Sequence, residues 1–217
     1  MAGRHRTAPG WRSPAPDVPG LFVTLEGIDR SGKSTQALLL AEALGDQAIL
    51  VREPGGTPAG EHLRSILKDP GVELGPQSEA LLFAAARAEL VRQVIRPALE
   101  EGKTVISDRY LDSSLAYQGG GRSLGIEGVR LINDFGMGSV LTPDLTLLLE
   151  IALGDASARG AEDDRFEREG DALQREVASV YQRLAREEPD RFVAIDAARD
   201  SQAVHADVLA AVREAGG

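Results

Sequence analysis

Cysteine is absent from this 217-residue chain, which excludes a disulfide framework, thiolate zinc sites and a cysteine nucleophile. No uninterrupted apolar run approaches the roughly 20 residues of a membrane-spanning helix, so a soluble protein without membrane contact is expected. Bases are the minority, 24 against 34 acids, and the net charge of −10 argues against a nucleic-acid coat or a polybasic membrane binder. Lysine is scarcer still, confined to Lys33, Lys68 and Lys103. The three histidines, His5, His62 and His205, are scattered without metal-ligand spacing. What is present suffices for a core: 42% of residues are hydrophobic, and the length fits one α/β domain. A small anionic ligand is not excluded, because binding one needs only local positive charge.

The first twenty residues differ from the rest. They hold Pro9, Pro14, Pro16 and Pro19 together with Arg4, Arg6 and Arg12, and a single acid, Asp17. Without an apolar stretch after the arginines this is no secretory signal, and residues 1–20 read as a disordered extension. Setting the extension aside leaves 21 bases and 33 acids, a balance of −12 for the body from residue 21 to 217.

From Leu21 onward, β-rich runs alternate with helical patterns. Strands are expected at Leu21–Glu26, Ala48–Val51, Thr104–Ser107, Leu145–Ile151 and Phe192–Ile195. Leu40, Ala43 and Leu44 mark a first helix that Gly45 stops, and Ala59–Leu67 a second after the Pro54-Gly55-Gly56 turn. A long helical stretch from about Gln77 to Glu101 carries the stripe Leu82, Ala86, Leu90 and Val94, with Pro97 placed to bend it. Helices are also expected near Ser113–Gln118, Ile126–Phe135 and Ala172–Glu187, and at the end through Val204, Val208 and Val212. Residues 152–170 are polar, charged and glycine-bearing, and read as a mobile excursion. Five β-runs separated by helices indicate a parallel sheet covered on both faces.

The most informative segment is Gly27-Ile28-Asp29-Arg30-Ser31-Gly32-Lys33-Ser34, followed by Thr35. It matches the phosphate-loop pattern G-x-x-x-x-G-K-[ST] and lies between an apolar strand and a helix, the context such a loop requires. Glycines let the backbone wrap a phosphate, and inward amides join the helix N-terminus in holding negative charge. Lys33 supplies a point charge to the β- and γ-phosphates of a nucleoside triphosphate, and the Ser34 hydroxyl can ligate Mg²⁺. Arg30 would lie where charge builds up on a transferring phosphoryl group; alternatively it is a solvated side chain on the loop. Asp29 is placed either to orient an acceptor sugar or a metal-bound water, or to restrain Arg30 by pairing.

Ligands of open α/β sheets bind beyond the carboxyl ends of the strands. Glu26-Gly27, Arg52-Glu53 and Asp108-Arg109 fall at such ends. Asp108 can support Mg²⁺ through water, and Arg109 can grip a phosphate bidentately; alternatively the two form an ion pair capping the sheet. Phe83 and Arg87, one turn apart, share a helix face and would suit a pyrimidine, although singly they read as a core residue and a surface residue. Ser113, Ser114, Tyr117 and Gln118 follow Arg109 closely enough to close around a sugar and base. Gly119-Gly120-Gly121-Arg122 reads as a flexible loop carrying a further phosphate ligand or a solvated charge.

Together these residues resemble the bacterial thymidylate kinases. The likeness runs from Leu21 to the end of the chain. It is carried by Glu26–Thr35, Arg52-Glu53-Pro54-Gly55-Gly56-Thr57, Phe83–Arg87, Asp108–Ser114 running on to Ala116–Arg122, and Pro143–Leu149. The resemblance implies a P-loop nucleoside monophosphate kinase fold with a five-stranded parallel sheet, a lid, here a short one, and a homodimer packed through helices. It implies the cytoplasmic reaction ATP + dTMP → ADP + dTDP with Mg²⁺, on the route to dTTP. By position, Phe83 would stack on thymine, Arg87 would bond its carbonyl edge, and Ser114 would lie near the base. Tyr117 would lie under the sugar, Asp29 would face the 3′-hydroxyl, and Arg52 and Arg109 would hold the acceptor phosphate.

Asp164-Arg165-Phe166-Glu167 matches the family's lid-exit motif, which makes Arg159 and Arg165 the lid cations. The lid departs from the family pattern in being short, with Arg159 its only base between Ile151 and Asp164. Family members divide over a catalytic arginine in the phosphate loop or in the lid, and Arg30 with a depleted lid fits the first arrangement. The rival readings are another nucleotide or deoxynucleoside kinase on this fold, or a regulatory P-loop NTPase. An Asn-Lys-x-Asp guanine segment, common in the latter, is absent from the sequence.

Overall fold

A computed structural model describes residues 20–138, 141–159 and 170–216. The extension expected at 1–20 lies outside them except for Gly20, as does Arg165. The described residues form a five-stranded sheet, all parallel, in the order β2-β3-β1-β4-β5. Its strands are β1 (Phe22–Glu26), β2 (Ala48–Arg52), β3 (Thr104–Asp108), β4 (Leu145–Glu150) and β5 (Phe192–Asp196). Each bound falls within one residue of the sequence expectation.

β1 occupies the centre and is buried along its whole length. Successive side chains of a strand point to opposite faces. Val23 and Leu25 therefore pack with Leu40 of α1 (Lys33–Leu44) and Val208 of α9 (Ser201–Ala215). Phe22 enters the other core, with Leu90 of α3 (Pro76–Leu90), Leu115, and Tyr181 of α8 (Gly170–Glu187). Covering both faces explains the near-continuous apolar runs of β1 and β4. The remaining helices are α2 (Pro58–Lys68), α4 (Arg96–Glu100), α5 (Leu111–Ser114), α6 (Ile126–Met137) and α7 (Leu153–Ala158).

The long stretch expected from Gln77 to Glu101 is continuous from Pro76 to Glu100, but Val91–Ile95 is wound as π-helix between α3 and α4. The Arg96 N–H reaches back five residues to the Val91 carbonyl. Pro97 next to it has no N–H to donate to the residue four back, so the ladder shifts register where proline interrupts it.

Two expectations are corrected. Gly119-Gly120-Gly121 is not a flexible loop: Leu115–Gly121 continues α5 as π-helix and packs against α8. A Cβ on Gly120 would lie 2.4 Å from Val180 Cγ2, and one on Gly121 equally near Leu173 Cδ1, so these glycines allow close helix contact. Likewise residues 152–170 are not all irregular, since α7 forms at their start and α8 begins at Gly170; residues 160–169 lie outside the description. Among the described residues no helix is long and apolar enough to cross a membrane.

Candidate active site

The carboxyl ends of β1, β2 and β3 open into a crevice of about 1410 Å³. The phosphate loop connects β1 to α1. Gly27 has φ 141°, and a Cβ there would stand 2.6 Å from the Leu149 carbonyl oxygen; only glycine lets the loop leave the sheet at that point. α1 has no side chain capping its first turn, so its leading amides remain for an anion.

From the loop, Asp29, Arg30, Ser31, Gly32, Lys33, Ser34 and Thr35 line the crevice. Gly27 and Ile28 stand behind it, and Ile28 is in the core. From other elements come Arg52, Phe83, Arg87, Asp108, Arg109, Ser114, Tyr117, Gln118 and Arg159. The acidic chain has thus gathered Arg30, Lys33, Arg52, Arg87 and Arg109 around one space.

Lys33 is buried and folds back on the loop, donating to the Ile28 carbonyl at 2.6 Å and Ser31 Oγ at 3.2 Å. Burial, reinforced by nearby Arg109, lowers it to about 8. The Ser34 hydroxyl donates to Asp108 Oδ2 at 2.5 Å, uniting the two oxygens expected at a metal. Among the described residues no group of three or more His, Asp or Glu could enclose a metal ion. One or two protein oxygens beside a phosphate cradle fit Mg²⁺, which keeps most of its ligands as water and phosphate.

Arg30 and Arg109 have φ of 63° and 71°, left-handed backbone that costs a non-glycine residue on the order of 1 kcal/mol or more. This turn sends Arg109 across the crevice floor. Its Nη2 pairs with Asp29, its Nη1 donates to Ser113 Oγ at 3.2 Å, and its guanidinium lies 5.1 Å from the Tyr117 ring centre. Asp29 therefore pairs with Arg109, and the alternative of restraining Arg30 is not what the structure displays. Tyr117 donates its hydroxyl to Asp29 Oδ1 at 2.9 Å. Burial would raise the Asp29 carboxyl, but Arg109 and Lys33 outweigh it and hold it below the usual range.

Beneath this layer Glu26 is completely buried and accepts from the Tyr110 N–H at 2.8 Å, Ser113 Oγ at 2.6 Å and the Tyr181 hydroxyl at 2.8 Å. Burial and the Asp112 carboxylate push its pKa up.

Arg87 is not a surface residue: it is 1% exposed. Its Nε donates to Glu53 Oε2 at 2.8 Å, its Nη2 to the same oxygen and to the Tyr110 carbonyl, and its Nη1 to Asn133 Oδ1 at 2.6 Å. Beside it Ser114 Oγ is buried without a protein partner, an orphan that a ligand's polar edge can satisfy. Phe83 is half-buried on the same wall. Gln118 donates to Glu79 Oε1 at 2.9 Å, and Arg122 pairs with the same carboxylate at 3.1 Å. Arg122 is thus a largely buried structural cation, neither a phosphate ligand nor a solvated charge.

Arg52 is exposed and pairs with Glu61 at 3.4 Å. Arg159 donates to the Arg30 and Ser31 carbonyls at 3.3 and 3.2 Å and to the Ala197 carbonyl at 2.7 Å, strapping the end of α7 to the phosphate loop.

Sequence reasoning missed Asn133 and Gln174. Asn133 lies four residues after buried Val129 on α6, and Gln174 three before buried Val177 on α8. A polar residue in line with an apolar stripe was the available signal.

The thymidylate kinase family model matches residues 25–208. The protein named thymidylate kinase in Deinococcus radiodurans is 47% identical over 203 residues, covering 91% of this chain and 98% of its own. That of Pelotomaculum thermopropionicum is 48% identical over 205 residues, covering 91% and 94%. That of Halothermothrix orenii is 44% identical over 203 residues, covering 89% and 97%. With a family match across most of the chain and near-complete relatives above 40% identity, the chain belongs to the thymidylate kinase family.

Proposed function

We propose that the protein transfers the γ-phosphoryl group of ATP to dTMP, giving ADP and dTDP. The observation that carries this reading is one crevice with a phosphate loop at one end and, at the other, Phe83, the anchored guanidinium of Arg87 and the unpartnered hydroxyl of Ser114. ATP phosphates lie on the loop amides and Lys33. Thymine lies on Phe83 with its carbonyl edge at Arg87; the sugar sits over Tyr117 with its 3′-hydroxyl at Asp29. Gln118 closes the base side, and Arg52 and Arg109 hold the acceptor phosphate.

That phosphate is largely ionised at neutral pH, its second pKa being about 6, so no strong general base is needed. The task is to align two anions and offset their repulsion. Arg109 is kept charged against burial by Tyr117 and Asp29, which suits it to the bridging position, and Arg30 faces the moving phosphoryl group. Mg²⁺, held by Ser34 and through water by Asp108, with Asp29 within reach, would supply charge neutralisation when bound. Arg159 braces the loop through its main-chain carbonyls, and Arg165 is assigned to the lid with it.

A homodimer completes the reading. Leu81 on α3 and Leu131 and Phe135 on α6 are 56%, 68% and 92% exposed, and these two helices pack side by side. An apolar face of this kind marks an interaction surface, here for a second copy. A cytoplasmic enzyme is the reading that goes with these substrates. ADP release measured against a panel of nucleoside monophosphates and free nucleosides tests the function. Preference for dTMP is expected, and preference for a purine monophosphate or a nucleoside overturns it.

A further inference from the structure

Asp29 is held by a side chain outside the phosphate loop and outside the crevice. Gln174, in the second turn of α8, donates its Nε2 to Asp29 Oδ2 at 2.6 Å, and its Oε1 accepts the Asp29 backbone N–H at 3.1 Å. The two bonds run in opposite senses, so one amide clasps both main chain and side chain of one residue. Oδ1 meanwhile takes Arg109 and Tyr117, which leaves the carboxylate bracketed from two sides.

The far side of Asp29 is not close-packed. It borders a second cavity of about 100 Å³ whose wall includes Leu153, Ala156 and Gly170. Asp29 is on the walls of both spaces, whereas Gln174 is on the small cavity's wall and not the crevice's. Hydrogen bonds rather than packing therefore fix the carboxylate on that side, and a neighbouring void leaves it room to turn away once they are lost.

We propose that Gln174 is the positioning residue of Asp29, and that through it α8 sets the acceptor site's preference for a sugar 3′-hydroxyl. The inference rests on the dTMP reading above. Gln174 does not line the crevice; its Oε1 also stands 3.4 Å from the Tyr117 hydroxyl, whose shorter bond, 2.9 Å, goes to Asp29, so it acts by keeping one carboxylate and that carboxylate's donor aimed.

The test uses the full chain and its Gln174→Leu and Gln174→Glu variants, with dTMP and its 3′-deoxy analogue as acceptors. Wild-type turnover of dTMP is read first and tests the parent reading by itself. Given that turnover, Gln174→Leu raises KM for dTMP about tenfold, the scale of one hydrogen bond to a charged group. It leaves kcat within about twofold and the KM of the 3′-deoxy analogue unmoved. Gln174→Glu keeps the acceptor for the Asp29 amide but places a like charge against its carboxylate, so the preference collapses at least as far. In an Asp29→Ala background, Gln174→Leu has no further effect on the ratio of the two substrates, because the residue it positions is gone. Equal losses on both substrates, a fall in kcat alone, or full additivity with Asp29→Ala would overturn the assignment.

Discussion

Replacing Asn133 by leucine is a sharp test of the base pocket, because Asn133 is buried beside the pocket and acts only through Arg87. The substitution keeps the branched shape and the number of heavy atoms and removes the acceptor of the 2.6 Å bond from Arg87 Nη1. Glu53 and the Tyr110 carbonyl still hold Nε and Nη2, so the guanidinium stays in place with one edge unrestrained. A hydrogen bond to a charged group contributes about 1.5–3 kcal/mol. With most contacts retained the lower figure applies, corresponding to about a tenfold rise in KM for dTMP. Thermal stability falls at the same time, by about 3–6 °C for a domain of this size. Steady-state kinetics on dTMP beside a melting curve read both quantities in one preparation. A lowered melting temperature with KM for dTMP unchanged would refute the reasoning: Arg87 would then be a structural cation with no part in holding the base.

Arg30→Ala lowers kcat by about 10²-fold, the scale of removing a preorganised charge donor, with KM for dTMP little changed; near-normal turnover assigns the transition-state charge elsewhere. Glu53 is held up to about 7 by burial that outweighs Arg87, and its Oε1 has no protein partner. A folded-state value above the unfolded one gives stability that is complete below about 4.5 and is lost as pH rises through about 7, up to about 3 kcal/mol. Chemical unfolding of Glu53→Gln between pH 4.5 and 7.5 accordingly lacks the downward slope of the parent, and matching slopes would count against it. Phe135→Glu places a charge in the proposed face between copies and yields a monomer in sedimentation equilibrium; an unchanged mass rules that face out.

The sheet was legible because a strand buried on both faces is written as an apolar run, and the phosphate loop because its glycines and lysine have fixed spacing. The excursion's helix α7 and the packed glycines at 119–121 were not. Glycine permits both a loose loop and a close contact, and for Gly120 and Gly121 it is Val180 and Leu173, more than fifty residues away, that decide between them. Arg87 read as exposed for the same reason: its burial depends on Glu53 from the β2 turn and Asn133 from α6 meeting it across the fold. For Gln174 the local pattern marks only a polar residue on the buried side of α8; that α8 lies against the phosphate loop is not written in it.

The left-handed backbones at 30 and 109 bear on any attempt to make this protein hardier. At position 30 glycine would relieve the main chain, so resistance to heat and chemical competence pull in opposite directions there; at 109 the Asp29 ion pair, the Ser113 bond and the Tyr117 contact outweigh that relief. A laboratory selection scored on melting temperature alone would drift toward glycine at position 30, keep arginine at 109, and arrive at a sturdier chain without the cation proposed to meet the moving phosphoryl group. Variants of this fold are therefore to be scored on turnover and endurance together.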